Sequence, residues 1–458
     1  MSAKRYRRVM ALALVASVGL PLAACSSEGS DASGKVTITV DCPPLKTDND
    51  GKSLAAWNKD VQAFEAANPG VDIITVSVGA QCNNPPDFTA RLQGATQADV
   101  FYGYMTDLDQ VLDANGAEDI TQYVTKDTIP NWDDVLDSIK NPFIENGKIY
   151  GIGYSGYTMG LVYNKNVFTQ AGLDPNKPPA TWQEVATAAK TISGKLPGVA
   201  GYSEYSAGNT GGWHFTASLY SRGSAPVSAD GKKANVNTAE ARAVLQNLKS
   251  MRFTDNSVGE TQLQQWPDLL TAAASGKVGM YIGAPDSMTA IVNTFKGKFS
   301  DWAMAPMPGD NGPAKGALGG GNGYFFKKGL SADQIKAGLK WLAFEELTPG
   351  QGQFNYAVQK EIGLPVGLPQ PLIWKPGSAL QKQDDDLKKQ HSNLNLADYS
   401  LYTGKPVQPV AEPKNAQAIY AILDGPMGAV LTNPAADIDA LLADANTKIQ
   451  KVLDDANK

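Results

Sequence analysis

Residues 35–78 alternate between strand-like and helix-like sequence with almost no chain between the elements. KVTITV (35–40) has the alternating, β-rich pattern of a strand, and VDIITVSV (71–78) is a second, nearly continuous apolar strand. The intervening SLAAWNKDVQAFEAANPG follows a candidate N-cap and has apolar residues at helical spacing: Ser53 as the cap, then Leu54, Trp57, Val61 and Phe64. A strand, a helix and a strand with short links predict a βαβ unit and a parallel sheet.

The same alternation continues along the chain. Further strands are predicted at 98–104, 277–283 and 302–309. Further helices are predicted at 181–192, 238–251, 331–344 and 434–453. The helix at 181–192 opens with a capping box formed by Thr181 and Glu184. The sequence therefore predicts an α/β protein.

The amino terminus has the pattern of an export signal. A basic segment, MSAKRYRR, precedes VMALALVASVGLPL, an apolar run too short to span a bilayer comfortably. The following LAAC (22–25) resembles the lipobox of bacterial lipoproteins, in which cleavage leaves a diacylglycerol-modified cysteine as the first residue. Residues 1–24 are thus a predicted lipoprotein signal peptide, Cys25 the predicted lipidation site, and 25–34 a flexible polar tether. The alternative is an ordinary secretory signal with a chance cysteine.

The other two cysteines are predicted to form a disulfide. Cys42 lies just past the first strand and Cys82 just past the second. Parallel neighbouring strands bring their carboxyl ends together, and an oxidising exterior permits the bond. The odd cysteine is then Cys25, which carries the lipid.

Charge and motifs argue against several classes of function. The signal segment contains four of the 40 basic residues and no acidic residue, so the remainder has 36 basic and 46 acidic side chains and a net charge of −10. An acidic surface disfavours nucleic acid as a partner. The chain has two histidines and lacks H-E-x-x-H, C-x-x-C, a P-loop and a dinucleotide-binding fingerprint, so no cofactor is expected. A hydrolytic carboxylate pair stays open, although no motif indicates one.

The order of several segments resembles family 1 extracellular solute-binding proteins, the maltose-binding-protein-like receptors of ABC importers. GLVYNKNVFTQAGLDPNKPPATWQEVATAAKTI (160–192) matches that family's Y-N-K strand and P-x-T-W-x-E helix. The family's other segments are matched by ADVFYGYMTDLDQVLDANGAEDIT (98–121), ASGKVGMYIGAPDSM (274–288) and WAMAPMPG (302–309). The resemblance covers nearly all of the predicted mature chain.

This resemblance implies a two-lobed, periplasmic-binding-protein-like fold, with a mainly parallel sheet flanked by helices in each lobe. About three crossovers are expected, near Gly151, Met307 and Pro349. The implied lobes are 35–150 (first lobe), 151–306 (second lobe), 307–348 (return to the first lobe) and 349–458 (remainder of the second lobe). Ligand is expected in the cleft, at the carboxyl ends of strands, with closure by hinge bending.

A sugar requires aromatic faces for its C–H surfaces and planar polar groups for its hydroxyls. Clusters with both give the candidate ligand-binding residues Tyr104, Asp107, Tyr157, Asn209, Trp213, His214, Asp286, Gly320, Gly321 and Tyr420. By the resemblance, Tyr157 replaces a ligand-contacting glutamate of maltose-binding protein, and Asp286 replaces a sugar-stacking tryptophan. Tyr157 and Trp213 are expected in the second lobe, one on each side of a sugar ring. The alternative for each aromatic residue is a place in the core.

The sequence thus predicts a monomeric carbohydrate-binding lipoprotein on the extracellular face of the cytoplasmic membrane, held there by its N-terminal lipid only. It is expected to deliver a mono- or oligosaccharide to an ABC importer permease, and its lipobox and tether resemble those of actinobacterial lipoproteins. One alternative is a non-sugar ligand such as a polyamine, a metal chelate or a phosphodiester, although the candidate clusters contain no arginine for phosphate. The other is a surface-anchored hydrolase.

Overall fold

The computed structural model describes residues 34–79 and 82–456. The predicted signal peptide, Cys25 and the tether as far as residue 33 lie outside the described residues. The strands of the described chain are Val36–Asp41 (β1), Val71–Val76 (β2), Val100–Tyr104 (β3), Ile144–Glu145 (β4), Lys148–Ile149 (β5), Gly151–Thr158 (β6), Gly160–Asn164 (β7), Met280–Gly283 (β8), Trp302–Ala305 (β9), Ala317–Phe326 (β10) and Pro409–Ala411 (β11).

Helices alternate with these strands, as the sequence pattern predicts. They are Lys52–Ala67 (α1), Pro85–Gln93 (α2), Leu108–Asp113 (α3), Asp137–Lys140 (α4), Lys165–Gln170 (α5), Trp182–Lys195 (α6), Thr210–Ser221 (α7), Ala239–Phe253 (α8), Trp266–Ala274 (α9), Ser287–Asn293 (α10), Ala332–Glu346 (α11), Tyr356–Glu361 (α12), Ala379–His391 (α13), Ser400–Gly404 (α14), Ala416–Thr432 (α15) and Ile438–Ala456 (α16). The α/β class is confirmed.

The predicted βαβ unit starts the larger, six-stranded sheet. β1 pairs in parallel with β2, in step from Val36 opposite Val71 to Asp41 opposite Val76, and in parallel with β3 on its other side. β10 then pairs antiparallel with both β3 and β6, and parallel with β11. Cys42 and Cys82 follow the carboxyl ends of β1 and β2 and form a disulfide with Cα atoms 5.3 Å apart. The predicted pairing of these cysteines is confirmed.

The second sheet differs from the expected mainly parallel arrangement. Its three strands have the order β8-β7-β9, and β7 is antiparallel to both neighbours. The physical reason is the route of the chain: β7 leads away from the larger sheet, whereas β9 leads back towards β10, so the two run in opposite directions. Single parallel bridges, such as Ala200 with Val278, extend this sheet.

Side-chain hydrogen bonds cap the start of several helices. The capping box of Thr181 and Glu184 at the start of α6 is confirmed. The expected cap Ser53 instead lies inside the first turn of α1, because Gly51 adopts a left-handed conformation (φ 82°) and takes the cap position. α16 begins four residues later than predicted, where the Asp437 carboxylate accepts backbone N–H groups of its first turn.

Each sheet packs against its own aromatic and aliphatic core. In the first lobe, Trp341 is fully buried and meets Trp57 and Phe64 edge to face, with ring centroids 5.4 and 5.3 Å apart. In the second lobe, α6, α7, α8, α15 and α16 enclose an aliphatic core around β7. Trp57, one of the apolar residues at helical spacing in the sequence, thus packs in the core of the first lobe.

The chain changes sheet at Met159, between β6 and β7, and this differs from the expected crossover near Gly151. β6 belongs to the larger sheet because it pairs with β10 along its length. The carboxy-terminal remainder is also divided, since Phe354 and Trp374 pack in the first-lobe core with ring centroids 5.7 Å apart. Their large apolar surfaces are buried there rather than in the second lobe. The other lobe limits stay predictions.

Candidate ligand-binding site

A cavity of about 600 Å³ lies where the two sheets meet. Its walls come from the carboxyl ends of β1 and β3, from β6 and β10, from the start of α7 and from the β8–α10 turn. The segment 364–373 closes a further side. The carboxyl ends of strands in an open α/β sheet leave such a crevice, because the helices that follow diverge to the two faces.

Aromatic side chains dominate the walls of this cavity. The ten that line it are Tyr102, Tyr104, Tyr154, Tyr157, Tyr205, Trp213, Trp266, Phe354, Tyr356 and Tyr420. Between them lie neutral hydrogen-bonding side chains, namely Thr106, Ser155, Asn209, Thr210, Ser287, Thr289, Asn293, Thr294, Asn322, Gln353, Gln359, Gln370 and Gln417. Flat apolar faces interleaved with amides and hydroxyls are the complement that a carbohydrate needs.

Four side chains form a hydrogen-bonded network on one wall. The Trp213 indole N–H donates to the Tyr157 hydroxyl at 3.0 Å. Tyr157 donates in turn to Glu412 Oε2 at 3.3 Å, and Tyr420 donates to Glu412 Oε1 at 2.9 Å. Burial raises the pKa of Glu412 to about 7, although the two tyrosine hydroxyls favour the charged form. The network fixes the rings of Trp213 and Tyr157 before any ligand arrives.

Close backbone packing between α7 and α15 places this network. A Cβ on Gly212 would overlap the backbone of Tyr420, so only glycine lets the two helices approach so closely. The Asp424 carboxylate of α15 accepts the backbone N–H groups of Asn209 at 2.7 Å and Gly212 at 2.8 Å, which satisfies the start of α7. The glycine-rich sequence before Trp213 therefore positions that tryptophan at the cavity wall.

The structure brings most of the predicted site residues together. The predicted residues that line the cavity are Tyr104, Tyr157, Asn209, Trp213, Asp286, Gly321 and Tyr420. Gly320 lies on the same ribbon of β6 and β10, but it lines a second cavity of about 540 Å³. Lining the cavity is a matter of geometry, and contact with ligand stays a prediction for each residue.

Two predicted ligand contacts, Asp107 and His214, lie in the protein interior instead. The Asp107 carboxylate is fully buried and accepts hydrogen bonds from Asn83 at 2.5 Å and from the Tyr104 backbone at 2.7 Å, which closes the turn after β3. His214 is 1% exposed, and its Nδ1 lies 2.5 Å from a buried Glu204 oxygen. Both have a polar partner within the fold, so neither is available in the cavity.

The expectation that Tyr157 and Trp213 stand on either side of one sugar ring is also wrong. Their rings meet edge to face with centroids 5.8 Å apart and share a hydrogen bond, so no sugar fits between them. Tyr157 belongs to β6 of the larger sheet, and only Trp213 lies on a helix of the second lobe. Together they form one corner of the cavity.

Several lining residues were missed by the sequence reasoning. Glu412 and Gln417 follow the short strand β11, whose three residues give too little pattern to be recognised. The segment 364–373 has no periodicity of either kind, and its prolines and glycine indicate only a loop. A carboxylate between two nearby prolines just past a strand, as in PVAEP (409–413), is the one local signal that could have indicated Glu412.

The two lobes touch across the cavity. The Gln417 amide of α15 donates to the Thr106 hydroxyl at 2.9 Å. At another side the Ser53 hydroxyl lies 2.5 Å from the Asn293 side-chain oxygen. An adjacent ion pair joins Lys296 to Asp50 at 2.7 Å, and this hydrogen bond lowers the pKa of Asp50. These contacts join the two lobes across the cavity.

Two kinds of site are not found in the described part of the chain. No group of three or more histidine, cysteine, aspartate or glutamate side chains within residues 34–79 and 82–456 is placed to hold a metal ion. Over the same residues, no helix has the length and apolar character needed to cross a bilayer.

Comparison with known proteins places this geometry among binding proteins. The family model for bacterial extracellular solute-binding protein matches residues 48–348. A binding protein of Brucella abortus (strain 2308) is 25% identical over 278 residues, which is 58% of this chain and 61% of that protein. The chain therefore spans less than two thirds of the length of that curated relative.

Two further similar proteins have a ligand in their names or structures. Over 54 residues, 11% of this chain and 12% of that protein, the chain is 48% identical to an sn-glycerol-3-phosphate-binding periplasmic protein of Brucella abortus. An ABC transporter solute-binding protein from Thermotoga lettingae, solved with α-D-tagatose, superposes with a TM-score of 0.71 over 91% of this chain and 99% of that chain, at 18% identity. At this identity the superposition shows the fold, which is the two-lobed fold expected from the sequence.

Proposed function

The chain belongs to the bacterial extracellular solute-binding proteins, and from this premise we propose that it captures a mono- or oligosaccharide and delivers it to an ABC transporter permease. The observation that supports a sugar is the wall of ten aromatic side chains interleaved with amides and hydroxyls around a cavity of about 600 Å³. Closure of the lobes buries the sugar between them, as the contacts across the present cavity suggest.

A phosphate-bearing ligand is the alternative raised by the short match to a glycerol-3-phosphate receptor. Phosphate is bound best by arginine, whose fork donates two parallel hydrogen bonds to the oxyanion. Among the described residues, no arginine lines the cavity, and Lys388 is the one cationic lining residue. Its ammonium is paired with Asp384 at 3.0 Å. This charge pattern favours an uncharged or cationic ligand over a phosphate.

A surface hydrolase is the alternative from another class. The matched family and the similar structures are binding proteins rather than enzymes. A receptor returns its sugar unchanged, whereas a hydrolase releases products. Incubation with a glycan panel, followed by thermal shift and product analysis on the same samples, separates these functions. Thermal stabilisation by a glycan without product supports the receptor, and accumulation of product refutes it.

Replacing Trp213 with alanine is expected to weaken sugar binding by about 1–3 kcal/mol, or roughly 5- to 150-fold in Kd. The change removes a half-buried aromatic face from the wall and leaves the Tyr157 hydroxyl without its indole donor. The measurement is isothermal titration with the glycan found in the panel. Trp132→Ala, at a position that is also half-buried but lies outside the cavity, is the matched control and should bind normally. A Kd for Trp213→Ala within twofold of wild type contradicts this role.

We propose that the protein is anchored by lipid on Cys25, a short polar tether away from the fold. Cys25→Ala is therefore expected to move the protein from the membrane fraction to the soluble fraction while its Kd for sugar stays the same. The measurement is detergent partitioning of cells that express each form, with Cys25→Ala and wild type compared at equal expression. Partitioning of Cys25→Ala into detergent at the wild-type level would mean that something other than this lipid holds the protein.

A further inference from the structure

A buried histidine and a buried glutamate lie directly behind the ligand cavity. His214 is 1% exposed and Glu204 is 4% exposed, and Nδ1 of the imidazole lies 2.5 Å from Glu204 Oε1. In the chain, Glu204 immediately precedes Tyr205, and His214 immediately follows Trp213. Tyr205 and Trp213 both line the cavity. One contact in the interior therefore joins the two segments that carry these cavity rings.

Three donors converge on the Glu204 carboxylate. Oε2 accepts the Tyr202 hydroxyl at 2.8 Å, and Oε1 accepts the Tyr205 backbone N–H at 3.0 Å as well as the imidazole. Because these bonds make the carboxylate an acceptor on both oxygens, Nδ1 is the nitrogen of His214 that donates. The same carboxylate therefore fixes the imidazole and the backbone of Tyr205 beside it.

The imidazole in turn packs against both cavity rings. Its centroid lies 4.3 Å from that of Tyr205, with the two planes at 80°, and 5.1 Å from that of Trp213. The Tyr205 and Trp213 rings are 30° from parallel, with centroids 6.4 Å apart. The other imidazole nitrogen, Nε2, is buried without a hydrogen-bond partner among the described residues. The bond to Glu204 therefore sets how the imidazole meets both rings.

We propose that Glu204 and His214 form a positioning pair for sugar binding, which holds the Tyr205 and Trp213 rings in the orientation that receives the sugar. This inference rests on the proposed function as a sugar receptor. A buried polar pair often adds no more stability than apolar residues of similar volume, but its bond has a direction and favours one arrangement. Rings that are already held in place lose less freedom when a sugar binds.

The first experiment measures the position of the Trp213 ring without ligand. The protein is labelled with fluorotryptophan, and the Trp213 resonance in the fluorine NMR spectrum is identified by its absence from Trp213→Phe. Wild type should give one narrow resonance. In His214→Leu, which lacks the donor, the resonance should broaden or split because the ring adopts more than one orientation. His214→Asn, whose amide N–H replaces the Nδ1 donor, should restore a single resonance.

Ser221→Ala is the matched control in the same helix, α7. Ser221 is 1% exposed, lies outside the cavity and accepts the Trp182 indole N–H at 3.0 Å. Its replacement leaves a buried donor unpaired and should lower the apo melting temperature, as His214→Leu does. The Trp213 resonance should stay narrow in Ser221→Ala. The comparison separates a loss of ring position from a loss of stability.

The second experiment titrates maltotriose, cellotriose and N-acetylchitotriose into the same variants. His214→Leu is expected to weaken binding at least about fivefold, because each ring left mobile must be ordered when the sugar binds. His214→Asn and Ser221→Ala should bind as tightly as wild type. In a Trp213→Ala background, His214→Leu should weaken binding by a smaller factor, since one of the rings through which it acts is absent.

The outcomes separate this inference from the proposed function. A single narrow Trp213 resonance in His214→Leu, or an unchanged Kd for a sugar that binds, overturns the positioning pair and leaves the sugar receptor in place. Equal broadening in Ser221→Ala also overturns it, because any lost contact in α7 would then disturb the ring. If no sugar of the glycan panel or of this series binds, the proposed function fails, while the fluorine spectra still decide whether the pair positions Trp213.

Discussion

Replacing both Cys42 and Cys82 with alanine is expected to lower the free energy of unfolding of the first lobe by about 4 kcal/mol. The disulfide closes a loop of 40 residues that contains all of α1 and β2, and the loss of this constraint lets the unfolded chain gain conformational entropy. Chemical denaturation followed by circular dichroism and tryptophan fluorescence measures the change. The two cysteines also line the cavity, so the same variant should bind sugar more weakly.

Reduction provides a control that needs no substitution. Dithiothreitol should destabilise the wild type by an amount close to that of the double alanine variant and should leave the variant itself unchanged. A loss below about 1 kcal/mol in both experiments would show that the βαβ unit holds its geometry without the bond.

Replacing Glu346 with glutamine is expected to raise the free energy of unfolding at alkaline pH. The gain should be about 2–5 kcal/mol larger there than at pH 4.5. Glu346 ends α11 and is 5% exposed, and burial raises its pKa from 4.5 to about 8. Between these values the unfolded chain has lost the proton that the folded chain still holds. Stability therefore falls as pH rises from about 4.5 to about 8, and glutamine removes this dependence because it does not ionise.

Melting curves of the wild type and the variant across pH 4 to 9 test this expectation. The melting temperatures of the two proteins should be similar at the acid end and should differ increasingly towards pH 8. The adjacent Glu345 is also buried, and burial with the neighbouring Glu346 raises its pKa, so Glu345→Gln should act in the same direction. Glu361→Gln is the exposed control. A difference in melting temperature between wild type and variant that stays the same from pH 4 to 9 would contradict a protonated Glu346 in the folded protein.

Both lobes contribute walls to the cavity, so the stability of each lobe also affects ligand binding. The disulfide corner, the end of β3 and the β6–β10 ribbon all belong to the first lobe and form one side of the cavity. The other side comes from α7, α10 and the residues around α15. Contacts such as Gln417 with Thr106 cross between them, so ligand affinity depends on both lobes keeping their shapes.

Local patterns in the sequence determined the elements and some of their junctions. The period of apolar residues placed strands and helices, and the Thr181 capping box is a contact within one turn of the chain, so both are readable without tertiary information. The Cys42–Cys82 bond followed from one short-range consequence, namely that a βαβ unit aligns the ends of its two strands. Four of the ten cavity aromatics, namely Tyr104, Tyr157, Trp213 and Tyr420, were among the predicted ligand-binding residues.

Tertiary packing decided the rest, since it depends on groups far apart in the chain. The direction of the second sheet follows from the pairing of β7 with strands more than a hundred residues away. His214 and Asp107 looked like ligand contacts, but both are buried in the fold, where His214 Nδ1 lies against Glu204 and the Asp107 carboxylate accepts a hydrogen bond from Asn83. Glu412 enters the cavity because its partners Tyr157 and Tyr420 meet it there, 255 and 8 residues away. No periodicity encodes such a meeting, and hydrogen-bond satisfaction and desolvation select it only once the chain has folded.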